Sequence, residues 1–254
     1  MNILYHKASL LFKNDILVPI HGGRAISKLP TKDGEVKDLE CDWLHNNMIG
    51  DDTGKNISIH NRELGDLTAT YWAHHNYEKL GNPEYYGCFY YRKLFRYDFV
   101  WILLRHDVVC GTPSNLHIKK QFIIWHGSSA YDFALDCIKK IHPDKYEDIK
   151  NYFENKNDIY FCNFYVLKRD LFFEYSNFVE PLYLYMIEQI KEYIIDPKQK
   201  EHSIIREGIC YINEEYQRRC IAYIIERCTS YFLWKLHQRE GIKIQHEKII
   251  IYEV

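Results

Sequence analysis

The chain has 254 residues, 46% of them hydrophobic and 27% charged, enough apolar side chain to fill one large domain or two small ones. That balance excludes disordered, collagen-like and low-complexity classes. Lys plus Arg number 33 against 35 Asp plus Glu, for a net charge of -2, so no general attraction to nucleic acid arises and none is expected as a partner.

Met1 to His6 enter an apolar strand pattern without a basic leader, so no secretion signal is read. The longest uncharged apolar runs, Phe99 to Leu104 and Pro181 to Ile187, fall far short of the roughly 18 residues of a spanning helix. Eight cysteines at 41, 88, 110, 137, 162, 210, 220 and 228 form no Cys-x-x-Cys pair. They are expected to be reduced core thiols of a cytoplasmic protein, with neither a disulfide frame nor a zinc site. The Asn56-Ile57-Ser58 sequon is then silent. Tyr, Phe and Trp make 16% of the chain, which suits polar ligands that stack on rings and equally suits an AT-rich genome.

In chain order, residues 2 to 6 and 16 to 20 predict short buried strands, the second closed by His21-Gly22-Gly23. Residues 28 to 60 are polar and predict a long irregular stretch, usually functional or mobile. Asn61 is placed to cap a helix with apolar Leu64, Leu67, Tyr71 and Trp72 at helical spacing, ended by Gly81-Asn82-Pro83. Tyr85 to Tyr91 predicts a strand with Gly87 inside it. A short helix over 98 to 105 and a strand over 108 to 110 follow. Helices are predicted over 131 to 141, 144 to 153, 170 to 194 and 214 to 238, with strands over 159 to 167 and 242 to 253, the last as an edge. Strands interleaved with helices predict an α/β domain with helices over a mostly parallel sheet.

The loop Ile49 to Ser58 concentrates Asp51, Asp52, two glycines and Asn56 ahead of a helix. Such a loop can hold a divalent cation or sugar hydroxyls, or be a turn made of turn-forming residues. Arg92 and Lys93 follow an aromatic strand, where α/β sheets bind ligands; Arg92 there meets a diphosphate or a structural carboxylate. His126 before Gly127, and Asn163 inside an apolar strand, read as catalytic groups or as satisfied core polar groups. Glu226-Arg227 reads first as a solvated helix pair. Lys235, Arg239, Lys243 and Lys248 near Trp234 suit anionic headgroups, although Glu240, Glu247 and Glu253 make ordinary surface the better reading. P-loop, dinucleotide, zincin and hydrolase signatures are missing. No Asp-x-Asp ends an apolar strand, and Asp38-Leu39-Glu40 and Glu40-Cys41-Asp42 lie in the polar stretch.

Taken in order, His6-Lys7, Lys13-Asn14-Asp15, Val18-Pro19-Ile20, Asp51 to Gly54, Asn56 to Ser58, Leu67-Thr68, Tyr71-Trp72, Gly87 and Tyr91-Arg92 resemble one bacterial family. Asp107 to Val109, Tyr160 to Asn163, Lys168, Phe172 to Tyr175 and Glu226-Arg227 extend the resemblance over nearly the whole chain. It is a family first described as a domain of unknown function, found in capsular, exopolysaccharide and lipopolysaccharide gene clusters and regarded as glycosyltransferases. The chain departs from it at Tyr90 to Lys93, where the family has His-Tyr-Arg-Arg, and at Asp66, where it has Glu.

The resemblance implies a GT-A-like, Rossmann-type fold with a helical C-terminal part. A single glycosyltransferase domain over 1–254 is expected, with 1–125 binding the nucleotide sugar and 126–254 on the acceptor side. It implies transfer of a sugar from a nucleoside diphosphate, a UDP-sugar such as UDP-galactofuranose or a relative, to a hydroxyl of a surface polysaccharide or lipid-linked acceptor. Asp51, Asp52 and Asp66 are the expected base or sugar ligands. His6, Lys7, Asp15, Arg92, Lys93 and His126 are expected on the donor and diphosphate side, and Asn56, Tyr91, Asn163 and Glu226 against substrate. Mn²⁺ or Mg²⁺ is a candidate cofactor without a conventional motif to hold it. A cytoplasmic protein with a peripheral contact to the inner face of the membrane is expected. The rival readings are a non-catalytic carbohydrate-binding scaffold and a sugar hydrolase.

Overall fold

The computed structural model describes residues 17–29, 38–89, 93–94, 102, 105–195 and 218–251. The elements through residue 115 are β1 (Ile20–His21), α1 (Asp38–Asn47), β2 (Ile49–Gly50), α2 (Asn61–Leu64), α3 (Leu67–His75), β3 (Tyr85–Cys88), β4 (Lys93–Leu94), β5 (Val108–Gly111) and β6 (Ser114–Asn115). Three helices follow, α4 (Ile118–His126), α5 (Ser128–Ile141) and α6 (Tyr146–Asn155), then β7 (Asp158–Ile159) and β8 (Tyr165–Lys168). The chain continues through α7 (Arg169–Ile195), α8 (Cys220–His237), β9 (Ile244–Glu247) and β10 (Ile250–Ile251). They form two compact units, the first from residues 1–84, 89–94 and 250–254 and the second from residues 85–88 and 95–249. The fold is α/β, as the interleaved elements predict.

In the first unit β1 and β2 pair in parallel, Ile20 opposite Ile49 and His21 opposite Gly50, so both strands end at one edge. The stretch from 28 to 60, expected to be irregular, contains α1, β2 and a 3-10 turn at Ser58–His60. Only Cys41 and Leu44 of α1 are buried, and two apolar positions in ten residues leave little helical periodicity to read. The helix expected from Asn61 breaks at Gly65, whose φ of 59° ends α2 before α3 begins. Asn61 is not a cap. Its amide donates to Gly65 O at 2.6 Å and Thr68 Oγ1 at 2.8 Å, splicing α2 to α3. Every residue from Leu67 to Ala73 is buried, so α3 is a core element of this unit. β4 and β10 form a separate antiparallel pair.

The second unit is built on a four-stranded sheet in the order β3-β8-β5-β9. β8 runs antiparallel to both β3 and β5, and β9 lies parallel to β5 at the edge. Parallel ladders among the described strands are thus β1/β2 and β5/β9, and the sheet is mixed. The strand expected over 159 to 167 is interrupted. Cys162 at φ 72° and Asn163 at φ 46° make a left-handed turn between β7 and β8, which no non-glycine strand interior accommodates.

Long α7 buries Leu171, Phe172, Tyr175, Phe178, Leu182 and Met186, a stripe at three- and four-residue spacing that faces the core. Tyr86 of β3 stacks on Phe172 with ring centroids 4.0 Å apart. α8 buries Ile221, Ile224, Ile225 and Cys228 in the same way. The helices expected over 131 to 141 and 144 to 153 appear as α5 and α6. α4 covers an apolar run for which the sequence predicts no element; only Ile118 and Phe122 of it are buried. The expected strand over 2 to 6, most of the helix over 98 to 105 and residues 214 to 217 lie outside the described residues. Among the described residues no helix is long and apolar enough to cross a membrane.

Candidate functional site

The parallel pairing of β1 and β2 sets two loops side by side, Gly22-Gly23-Arg24 after β1 and Asp51 to Ser58 after β2. This is the carboxyl edge of a parallel pair, the place where α/β sheets bind ligands. Asp51 is fully buried. Its Oδ2 accepts from Gly23 N–H at 2.8 Å, and its Oδ1 from Arg24 N–H at 3.1 Å and the Ser58 hydroxyl at 2.5 Å. The carboxylate therefore joins the two loops, and Gly23, at φ 73°, turns its amide into it.

Asp52 points elsewhere, pairing with the Arg24 guanidinium at 2.6 Å through both Nε and Nη2. Both side chains keep contact with solvent, at 20% exposure for Arg24 and 28% for Asp52. Gly50 is required beneath that pair: a Cβ there would lie 1.9 Å from Arg24 Cζ and Nε. Asn56 shapes the loop, its amide donating to Asp52 O at 3.1 Å and Gly54 O at 2.9 Å while its Oδ1 accepts from Ser58 N–H.

The loop is pinned from α3. Trp72 Nε1 donates to Thr53 O at 2.7 Å, and the Asn76 amide donates to Lys55 O at 2.9 Å. Gly54, at φ 60°, lies against that amide group, where a Cβ would meet Asn76 Oδ1 at 2.0 Å. The core helix thus fixes the acidic loop, a rigid mounting of the kind that functional loops need. Asp66 sits at the N-terminus of α3 in the same unit. His21 of β1 is buried, its Nδ1 has no hydrogen-bond partner among the described residues, and burial pushes its pKa down to about 4, helped by His45 nearby. It is a neutral imidazole at the root of the first loop.

The remaining described candidates cluster in the second unit around Arg227, which is only 2% exposed. Its guanidinium pairs with Glu226, donates to Gln121 Oε1 at 2.5 Å and lies over the Phe122 and Phe161 rings. Glu226 also accepts the Cys162 N–H at 2.5 Å. Asn163 accepts from the Thr229 hydroxyl at 2.9 Å, and that hydroxyl also contacts Tyr175 OH. His126 stacks on Tyr223 with centroids 4.4 Å apart; burial first and Arg227 second lower its pKa to about 3. The Glu226-Arg227 pair is therefore a buried anchor of the left-handed turn and not the solvated pair expected. His126 is uncharged near neutrality and can donate or accept a hydrogen bond but brings no positive charge.

Structure thus joins Asp51, Asp52 and Asn56 in one loop, and His126, Asn163 and Glu226 in another cluster. His6, Lys7, Asp15, Tyr91 and Arg92 lie outside the described residues, as does the side chain of Lys93. Sequence reading misses His21 and Arg24. The Gly22-Gly23 pair at a strand end is the signal, since it marks where backbone amides turn to face a partner. Both oxygens of Asp51 accept hydrogen bonds, which leaves it little to offer a hard divalent cation, whereas Arg24 engages Asp52 through Oδ1.

A family described as a domain of unknown function, DUF4422, matches residues 1–239. The chain belongs to this family. All the ordered motifs quoted above fall within the matched span. Among solved structures, the apo structure of the bifunctional glycosyltransferase WbbM is similar to this DUF4422 chain with a TM-score of 0.67 and 20% identity over 96% of its length. The chain spans 43% of the WbbM chain. At that identity the likeness is one of fold, an α/β arrangement compatible with a GT-A-like class. A search of curated proteins finds no match.

Proposed function

We propose that this DUF4422 chain is a glycosyltransferase that moves a sugar from a nucleoside diphosphate, a UDP-sugar such as UDP-galactofuranose or a relative, to a hydroxyl of a capsular or other surface polysaccharide. What supports the reading above all is that 96% of the chain superposes on part of a bifunctional glycosyltransferase while spanning 43% of it, about the share of one of two activities. The carboxylate-bearing loops at the edge of β1 and β2 supply a site of the right chemical character.

Transfer needs a base for the acceptor hydroxyl, stabilisation of oxocarbenium character, and positive charge for the departing diphosphate. The base or sugar contact is assigned to Asp52 and Asp66, with Asp51 as the positioning residue that locks the two loops together. Arg24 joins His6, Lys7, Asp15, Arg92 and Lys93 on the donor side, its guanidinium suited to bidentate contact with a diphosphate once it exchanges Asp52 for phosphate oxygens. Asn56, Tyr91, Asn163 and Glu226 are assigned to substrate or its supporting shell, and His126 acts as a neutral hydrogen-bonding group. The working place is the cytoplasmic face of the membrane, where a lipid-linked acceptor is met by peripheral contact.

A thermal-shift and turnover screen of the whole chain against nucleoside diphosphates and their sugars, with and without Mn²⁺ or Mg²⁺, tests the reading. UDP and one UDP-sugar should raise the melting temperature while GDP and CMP do not, and a saccharide acceptor should release UDP from that donor. Binding of polysaccharide with no response to any nucleotide would instead favour the carbohydrate-binding scaffold.

A further inference from the structure

The second unit holds a cluster that the chemistry above leaves unused. Cys110 of β5 and His246 of β9 are paired residues on adjacent parallel strands, so their side chains leave the same face of the sheet. His237 lies in the last turn of α8, and Gly241, at φ 85°, turns the chain back into β9. Tyr160, 5% exposed and held by its N–H to Ser230 Oγ at 3.0 Å, brings a hydroxyl to the same place.

His237 Nε2 and His246 Nε2 face each other at 3.2 Å, and the Tyr160 hydroxyl lies 3.0 and 3.4 Å from them. Cys110 Sγ and the two imidazole nitrogens all lie within 4.8 Å of one another. Tetrahedral coordination at the usual zinc bond lengths puts nitrogen ligands about 3.4 Å apart and sulfur about 3.6 Å from each nitrogen. The imidazoles already stand at that spacing. Only the thiol has to close, by about 1 Å at most.

Without a cation, three contacts among Tyr160, His237 and His246 share two protons, one from the phenol and one from a single Nε2–H. The fully buried Cys110 thiol lies within 4.8 Å of the same two nitrogens. Burial pushes the Cys110 thiol up to about 12, so a bound cation must displace its proton, which passes to solvent on coordination. Two imidazoles and a thiolate form a borderline-soft set that prefers zinc or cobalt to magnesium, manganese or calcium.

We propose that Cys110, His237 and His246 bind one zinc ion, with the Tyr160 hydroxyl or a water in the fourth position. Such an ion ties the end of α8 and the edge strand β9 to the central strand β5, so its role is to fix the C-terminal part of the second unit. The expectation of no zinc site rests on the lack of paired thiols close in sequence. Here the ligands come from two strands and a helix end.

The test uses the whole chain, stripped with EDTA and titrated with Co²⁺ in the absence of any nucleotide. One equivalent should give the visible bands of tetrahedral cobalt together with a thiolate-to-cobalt charge-transfer band, both abolished by added Zn²⁺. Cys110→Ser should lose the charge-transfer band and Cys162→Ala should keep it. His237→Gln changes an exposed side chain, so its metal-free melting curve should match the wild type while the tetrahedral spectrum is lost; it decides the matter if Cys110→Ser fails to fold. Zn²⁺ should raise the melting temperature of the wild type and not of His237→Gln. An octahedral or absent cobalt spectrum in the wild type, or a charge-transfer band that follows Cys162 and not Cys110, overturns the proposal.

Discussion

Replacing Asp51 with asparagine isolates the join between the two site loops, because the side chain keeps its shape and loses its charge. In the wild type one carboxylate accepts three hydrogen bonds at 2.8, 3.1 and 2.5 Å. The best orientation of the introduced amide puts its nitrogen at the Oδ1 position, where the Ser58 hydroxyl can turn to accept from it. Arg24 N–H then faces a donor and loses its partner, at about 1–3 kcal/mol for a buried group. The bonds to Gly23 and Ser58 fall from charge-assisted to neutral strength, about 1 kcal/mol each. The sum is about 3–5 kcal/mol, which for a chain of this size lowers the melting temperature by roughly 10 °C. Ser58→Ala removes two bonds, the one it donates to Asp51 and the one it accepts from Ala25 N–H at 3.1 Å, and should cost about 2–3 kcal/mol; the double variant should fall short of the sum because the two share a contact. Thermal and urea unfolding followed by circular dichroism measures all three. A loss below about 2 °C for Asp51→Asn would refute the assignment of this carboxylate as the tie between the loops.

Gly50→Ala should push the Arg24 guanidinium off Asp52, since its Cβ would lie 1.9 Å from Arg24 Cζ; donor turnover should drop at least tenfold while the melting temperature changes by about 3 °C or less, the displaced group being the end of a flexible side chain. Arg227→Met should deprive Glu226 of its guanidinium partner while it keeps the Cys162 N–H, at a cost of about 2–3 kcal/mol in urea unfolding, whereas a loss under about 1 kcal/mol would mean that the pair is not an anchor. His21 sets a pH dependence. Its folded pKa of about 4 lies below the unfolded value of 6.5, so the unfolded chain takes up its proton first as pH falls. Stability is unaffected above pH 6.5 and is lost between 6.5 and 4, by about 2 kcal/mol at pH 5. Comparing the melting temperature at pH 7 and pH 5 in wild type and His21→Gln checks it, the variant losing less.

Strong periodicity is readable in this sequence and weak periodicity is not. α7 and α8 show buried residues every three or four positions, and the same spacing of apolar residues marks both as helices in the sequence. α1 is hidden because its core contact is Cys41 and Leu44 alone, and because Leu39 points to solvent at 83% exposure. The break at Cys162 and Asn163 is hidden for another reason. Cys carries no left-handed signal and Asn a much weaker one than Gly, and the turn is held by Glu226, a partner 64 residues away that no local pattern reveals. The acidic loop is legible as a cluster of carboxylates and glycines, but the division of labour within it is not. Which of Asp51 and Asp52 is buried depends on where the Gly23 and Arg24 amides arrive, and that follows from the parallel register of β1 and β2.

Incubating the whole chain with UDP-sugars and an oligosaccharide acceptor, and weighing the products by mass spectrometry, tests the central claim most directly. The account predicts an acceptor heavier by one sugar residue, one UDP released for each, and a rate cut at least a hundredfold in Asp52→Asn with its fold intact. Unchanged acceptor and intact donor across the UDP-sugars, from a chain that still binds the oligosaccharide, would contradict it.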